Sequence, residues 1–275
     1  MHIVIRFLIL GFLFFLIFLV ATSCSSDGQK PVEERSVESL YNEGYQKIQA
    51  EDYGEAAKMF DEVERQHPYS SWAAKAQLMA AYAYYENEKY DDAIMALDRF
   101  IQLHPGNKDA AYAYYLRAQC YYLQISDVYR DQKMTLLAKD ALAEVFRRFP
   151  ASPYARDARI KYDLTVDHLA GKEMAVGRYY LNREMYLAAL NRFQTVIMQY
   201  QTTTHVEEAL YRLVETYTAL GLKKEAVRAA AVLGHNYPAS EWYDMAYKIA
   251  ELDAEKLAEL KKQEAENSWF GWEIF

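Results

Sequence analysis

Residues 53–68 read YGEAAKMFDEVERQHP and residues 90–105 read YDDAIMALDRFIQLHP, and laying one over the other decides the fold. Tyr53, Ala56, Phe60, Val63 and His67-Pro68 return 37 residues later as Tyr90, Ala93, Leu97, Phe100 and His104-Pro105. A third copy runs Ala138, Leu142, Val145, Phe149-Pro150. The fourth is Tyr186, Ala189, Phe193, Val196 and Tyr200-Gln201, and the fifth Ala226, Ala230, Leu233 and Tyr237-Pro238. Positions four and seven residues beyond the alanine share one helical face, so each copy predicts an amphipathic helix. Proline closes it, because it lacks an amide donor and disfavours helical geometry in the residue before it.

Upstream of these helices lies a partner helix with its own marker. Gly44, Ala81, Gly177 and Val214 each precede the repeat alanine by 12 residues, and Ala81/Tyr84/Tyr85 recurs as Ala118/Tyr121/Tyr122. Small residues at most of these positions let two helices approach closely, while the large apolar residues fill the gap to the next hairpin. One hairpin cannot bury its apolar face alone, so the units must stack. The period is near the ~34 residues of tetratricopeptide repeats. The sequence thus predicts an all-α fold, an α-solenoid of about five tetratricopeptide-like helical hairpins with a C-terminal capping helix.

Two departures from the period carry information. Ala118 to Ala138 spans 20 residues, which lengthens the turn near Ile125 to Lys133. Pro150 to Gly177 spans 27 where the regular spacing is 13, so the fourth unit opens with a long helix, expected over Pro153 to Asn182 with a bend near Gly171. Ser152-Pro153 and Ser240-Glu241 read as N-cap and first-turn residues of the helices that follow. A charged helix from Glu241 to about Asn267 is expected to cap the array, ahead of a tail containing Trp269, Phe270, Trp272 and Phe275.

At the other end, Arg6, an apolar run from Phe7 to Val20, and Ala21-Thr22-Ser23-Cys24 form a secretory signal pattern. The run is shorter than the ~20 residues that span a bilayer comfortably. Small residues before Cys24 resemble a bacterial lipobox, in which that thiol is lipidated. The organisation expected is a signal peptide over 1–23, a lipidated tether over 24–35, repeats one to three over 36–151, the long helix with repeats four and five over 152–240, and a cap and tail over 241–275.

A formal net charge of −8 argues against a nucleic-acid grip. With Cys24 lipidated only Cys120 remains, so no internal disulfide forms, and Cys120 reads as a small buried apolar residue in a tyrosine-rich helix. Phosphate loops, HExxH, GxSxG and paired CxxC are absent from the sequence. His67 and His104 occupy the helix-closing position held elsewhere by Phe149, Tyr200 and Tyr237, and His168, His205 and His235 lack metal-ligand spacing. No catalytic residue, metal or cofactor is expected. Most of the 25 tyrosines fall at packing positions, and the rest suit a concave face that binds an extended peptide.

Ala81-Tyr82-Ala83-Tyr84-Tyr85, Leu97-Asp98-Arg99-Phe100-Ile101 with His104-Pro105, and Tyr112 to Arg117 resemble the second and third repeats of the BamD family. Those proteins are tetratricopeptide lipoproteins of the outer-membrane β-barrel assembly machinery. Ala155-Arg156-Asp157-Ala158, Val176 to Tyr180 and Asn191-Arg192 extend the resemblance along the chain. It implies a non-enzymatic scaffold, lipid-anchored on the inner leaflet of the outer membrane and facing the periplasm. It further implies partners: the POTRA domains of a BamA-like barrel insertase, nascent outer-membrane β-barrel proteins, and other assembly-complex lipoproteins. Carried onto this chain, Arg192 would pair with a partner carboxylate with Asn191 beside it, and Tyr69, Tyr85 and Arg99 would belong to a substrate groove. The alternative reading is a generic repeat lipoprotein that organises cell-wall or division complexes.

Overall fold

A computed structural model describes residues 34–250, so the leader, Cys24, most of the tether, and everything after Ala250 (including the aromatic tail) lie outside the described residues. Eleven helices follow one another among them. They pair as α1 (Val37–Gln49) with α2 (Tyr53–Gln66), α3 (Ala73–Glu86) with α4 (Tyr90–Leu103), and α5 (Ala110–Leu123) with α6 (Lys133–Arg148). Next come α7 (Ala155–Asn182) with α8 (Tyr186–Gln199) and α9 (Val206–Ala219) with α10 (Lys223–Asn236), and α11 (Glu241–Ala250) packs against α9 and α10. Each helix touches chiefly its neighbours in sequence, as a stacked array requires.

The size code read from the repeats becomes physical contact inside each hairpin. A methyl group placed on Gly44 would stand 2.9 Å from Cε1 of Phe60, and one on Gly177 would stand 2.5 Å from Cε1 of Phe193. Where the first helix has Val214, the second has Ala230, and both are fully buried. Small thus faces large, and the order reverses in the fifth hairpin. Cap geometry repeats as faithfully. His67, His104, Phe149, Tyr200 and Tyr237 close their helices near φ −130°, each donating its amide to the carbonyl four residues back. His67 also donates from Nε2 to the Arg35 carbonyl at 2.7 Å, so the chain is already docked at Arg35.

The long helix is continuous from Ala155 through Gly171 to Asn182, two residues shorter at its start than expected. It serves two cores. Ala158 belongs to the apolar cluster of the third hairpin, with Tyr154 and Tyr162 against it, whereas Ala170 and Met174 belong to the cluster that runs on to Ala246. Its middle is clasped by the 201–205 turn: Asp167 accepts from the Thr204 amide (3.1 Å) and hydroxyl (2.9 Å), and His205 lies against Gly171.

Ser152 and Ser240 do not cap helices through their side chains. The N-cap of α7 is Tyr154, and both serine hydroxyls are buried without a partner. After aromatic-Pro the chain turns through backbone bonds instead, with Ser152 N–H to Phe149 C=O (3.0 Å) and Ala155 N–H to Ser152 C=O (3.2 Å), which leaves the hydroxyl idle.

The hairpin turns carry a feature the residue types conceal. Glu51, Glu88 and Glu184 adopt φ of 58°, 58° and 60°, the left-handed region, and Gly221 holds the matching place in the fifth hairpin at 74°. A side chain there crowds the following carbonyl, and glycine removes that strain. Glu184→Gly should raise stability by about 0.5–1 kcal/mol, read from denaturant midpoints; a loss of stability would mean the Glu184 side chain is needed.

Candidate functional site

First helices of successive hairpins share one face of a solenoid, and on α3, α5 and the start of α7 that face is phenolic. The Tyr112 ring lies 5.5 Å from that of Tyr154, and Tyr115 stacks on Tyr154 at 5.0 Å with an interplanar angle of 21°. Tyr115 donates its hydroxyl to Asp157 at 2.5 Å, and Lys161 reaches both Asp157 (2.8 Å) and the Tyr115 oxygen (3.3 Å). The Lys161 ammonium also sits 5.5 and 5.7 Å from the rings of Tyr115 and Tyr122, within cation–π range. Burial would raise the Asp157 carboxyl, but the Lys161 and Tyr115 hydrogen bonds outweigh it and hold the group below the usual carboxylate range. Its ion pair is therefore present above the normal aspartate range and is lost as pH falls below it.

Tyr82 and Tyr85 from α3 complete this surface. Burial and then a hydrogen bond to Glu86 push the Tyr82 phenol up to about 12. Tyr85 packs edge-to-face on Tyr90 at 6.1 Å and lies within electrostatic reach of both Lys161 and Tyr112. The result is a half-buried aromatic wall of neutral phenols with one tethered cation. Such a wall offers ring faces and hydroxyls at little entropic cost, which suits an extended peptide carrying aromatic and polar side chains.

Of the three groove residues read from the sequence, only Tyr85 belongs to this wall. Tyr69 is 99% exposed in the turn between α2 and α3, with no ring contact or hydrogen bond. Arg99 is held 3.5 Å from Glu64 across two hairpins, close to the Asp61 carboxylate that accepts from Tyr84 at 2.5 Å. In the sequence Tyr112, Tyr115 and Asp157 stand out only within stretches of family resemblance, and neither they nor Tyr154 and Lys161 carry a site role there. The signal that could have found them is the four-residue spacing of Asp157 and Lys161 at the opening of the long helix, opposite the Tyr112–Tyr115 stretch.

Arg192 stands on α8, donating to Glu173 of α7 at 3.0 Å, with its side chain 43% exposed. Glu173 holds one edge of the guanidinium, and the exposed part remains open to a second carboxylate. Asn191 beside it is exposed, and its carbonyl accepts from Thr195. Cys120 is fully buried, and its thiol is pushed up to about 12, which leaves no thiolate for chemistry near neutrality. Among the described residues no group of three metal-ligating side chains comes together.

A cleft of about 590 Å³ opens elsewhere, between α5 and α6, lined by Arg117, Tyr121, Leu137, Glu144, Arg147 and Arg148. Its floor is structural. Arg117 donates to Asp98 of α4 and Glu144 of α6, both at 2.7 Å, and so ties three helices together.

The family described as outer membrane lipoprotein (YfiO) matches residues 33–233. The outer membrane protein assembly factor BamD of Caulobacter vibrioides is 50% identical over 84% of this chain and 78% of its own length. BamD of Rickettsia prowazekii is 46% identical over 84% of this chain and 92% of its own. Among solved structures, the P58(IPK) TPR domain aligns with 78% of this chain and 56% of its own at 15% identity and a TM-score of 0.41. At 50% identity to one such assembly factor over most of both chains, this protein belongs to the BamD family.

Proposed function

We propose that this chain is a non-enzymatic scaffold of the outer-membrane β-barrel assembly complex, held on the periplasmic side of the membrane by lipid on Cys24. It works by positioning. The first-helix wall of Tyr82, Tyr85, Tyr112, Tyr115 and Tyr154 receives extended segments of nascent outer-membrane proteins. Hairpins four and five hold the POTRA region of a BamA-like insertase, with Arg192 as a charged anchor and Asn191 beside it. Tyr69 and Arg99 are further candidates for contact with the same segments. Other lipoproteins of the complex would share the remaining faces.

Family membership is the observation that carries this reading, since the relatives are named as assembly factors over nearly the full repeat array. The half-exposed guanidinium of Arg192 supports the docking role, since its planar fork can bind a carboxylate bidentately. Depleting the protein in its host tests the function. Outer-membrane β-barrel proteins should fall in abundance while lipoproteins and periplasmic proteins do not. Unchanged barrel levels together with a septation or cell-wall defect would replace the proposal with the generic envelope scaffold.

A further inference from the structure

The turns joining the two helices of each hairpin lie along one edge of the array, and their chemistry changes between its two ends. At the residue before the second helix, and two residues into that helix, the first hairpin has Asp52 and Gly54 and the second Lys89 and Asp91. The fourth has Met185 and Leu187, and the fifth Leu222 and Lys224. Asp52 accepts from the Glu55 amide as a cap should, whereas Met185 and Leu222 make no side-chain cap. Apolar residues are poor at this place, so the sequence gives up a local preference there.

Nothing in the described fold covers them. Met185 is 51% exposed, Leu187 69% and Leu222 43%. Tyr179, another exposed side chain, is stacked under the Arg183 guanidinium at 4.7 Å in the last turn of α7. The surrounding charge is basic: Arg183, Lys223 and Lys224 are exposed against Glu184 and the partly buried Glu225, on a chain whose formal net charge is −8. Lys223 and Lys224 also stand at the start of α10, where the helix dipole works against cations. The last helix, α11, runs back toward the same edge and brings the exposed Tyr247 and Lys248 with it. The opposite edge of these hairpins reads Gln201-Thr202-Thr203-Thr204 and Pro238-Ala239-Ser240, polar or small in its turns, with one exposed large apolar residue, Met198, in the last turn of α8 and no cluster of them.

Apolar tips within a basic rim, with tyrosines beside them, match the interface of an anionic bilayer, where short apolar side chains enter the headgroup layer and cations meet phosphates. We infer that the turn edge of hairpins four and five, carrying Met185, Leu187 and Leu222 with Arg183, Lys223 and Lys224, seats on an anionic phospholipid surface. This contact is independent of the proposed lipid on Cys24. Where both operate, the membrane is held at two ends of the array, which fixes the orientation of the solenoid instead of leaving it to swing on a tether.

A photoreactive phenylalanine analogue placed singly at Leu187, Leu222 or Tyr69 in the full chain tests this. The chain is reconstituted in vesicles of phosphatidylcholine alone or phosphatidylcholine with phosphatidylglycerol, and adducts are read by mass. Phospholipid adducts are expected at 187 and 222 on the anionic vesicles. They should exceed those at 69 by about tenfold, and they should fall by about tenfold on neutral vesicles or with Lys223→Glu/Lys224→Glu. Circular dichroism of each variant confirms that the helices are kept. Lipid adducts at 69 equal to those at 187 and 222 would overturn the inference. So would protein adducts in cells at 187 and 222 with no lipid adducts in vesicles, since they would make this edge a protein interface.

Discussion

Replacing Gly177 with valine should destabilise the array by about 3 kcal/mol or more, although helix propensity alone argues the other way. Glycine inside a helix costs about 1 kcal/mol relative to alanine, so an exposed Gly177 would be improved by any side chain. Here the first added carbon would stand 2.5 Å from Cε1 of Phe193 and 2.9 Å from Cδ1 and Cζ. Phe193 is fully buried and has nowhere to swing. Overlap therefore outweighs propensity, and even Gly177→Ala should lose stability. The fifth hairpin shows the remedy, because it places Val214 and Ala230 where the fourth has Gly177 and Phe193. Phe193→Ala alone should cost about 3–5 kcal/mol for the cavity. Gly177→Val/Phe193→Ala imports the other hairpin's pair, and it should recover at least about 2 kcal/mol against the sum of the single changes. Additive losses in urea unfolding would show that the two positions do not pack on each other.

A second large effect is expected at Arg117→Met, which keeps the aliphatic packing and removes the charge. The guanidinium makes hydrogen bonds of 2.7 Å to Asp98 and Glu144 and lies 5.1 Å over the Tyr114 ring, with only 17% of the side chain exposed. Removing one partner of a deeply buried ion pair costs about 3–5 kcal/mol, but Asp98 and Glu144 reach water and Glu144 keeps Arg148, so about 2 kcal/mol is expected. The loss should show as a lower denaturant midpoint with the second and third hairpins exchanging their amides faster. A change below about 0.5 kcal/mol would mean the bridge is no better than a surface pair.

The array was legible because its markers are steric and periodic. Alanine against phenylalanine or leucine, and an aromatic before proline, are chemical necessities of stacked hairpins, so their spacing gave five hairpins and the doubled first helix of the fourth. The serine caps misled for a local reason. Ser152 and Ser240 have cap chemistry, yet the preceding aromatic-Pro turn satisfies the backbone by itself. Left-handed glutamates at 51, 88 and 184 were illegible because only Gly221 announces that conformation by its residue type.

The candidate surface was harder to read. Tyr85 enters through the family resemblance, but Tyr112, Tyr115 and Tyr154 become one wall only through the register of α5 on α7, which residue spacing does not fix. The pairing of Arg99 with Glu64, 35 positions earlier in the chain, likewise comes from the packing of one hairpin on the next and not from residue spacing. The Glu173 partner of Arg192 depends in the same way on how far α8 returns along the long helix. Side chains that serve the hairpin itself were therefore easier to identify than those left over for partners.

Mild-detergent recovery of tagged, membrane-extracted protein, wild type beside Arg192→Glu, tests the proposed scaffold role most directly. Wild type should bring down a large barrel protein with POTRA domains, and the charge reversal should reduce its recovery by about tenfold while leaving the variant folded and membrane-bound. Equal recovery by both forms would remove Arg192 as the anchor. Recovery of no barrel insertase by wild type, under conditions that keep other envelope complexes intact, would contradict the assembly role itself.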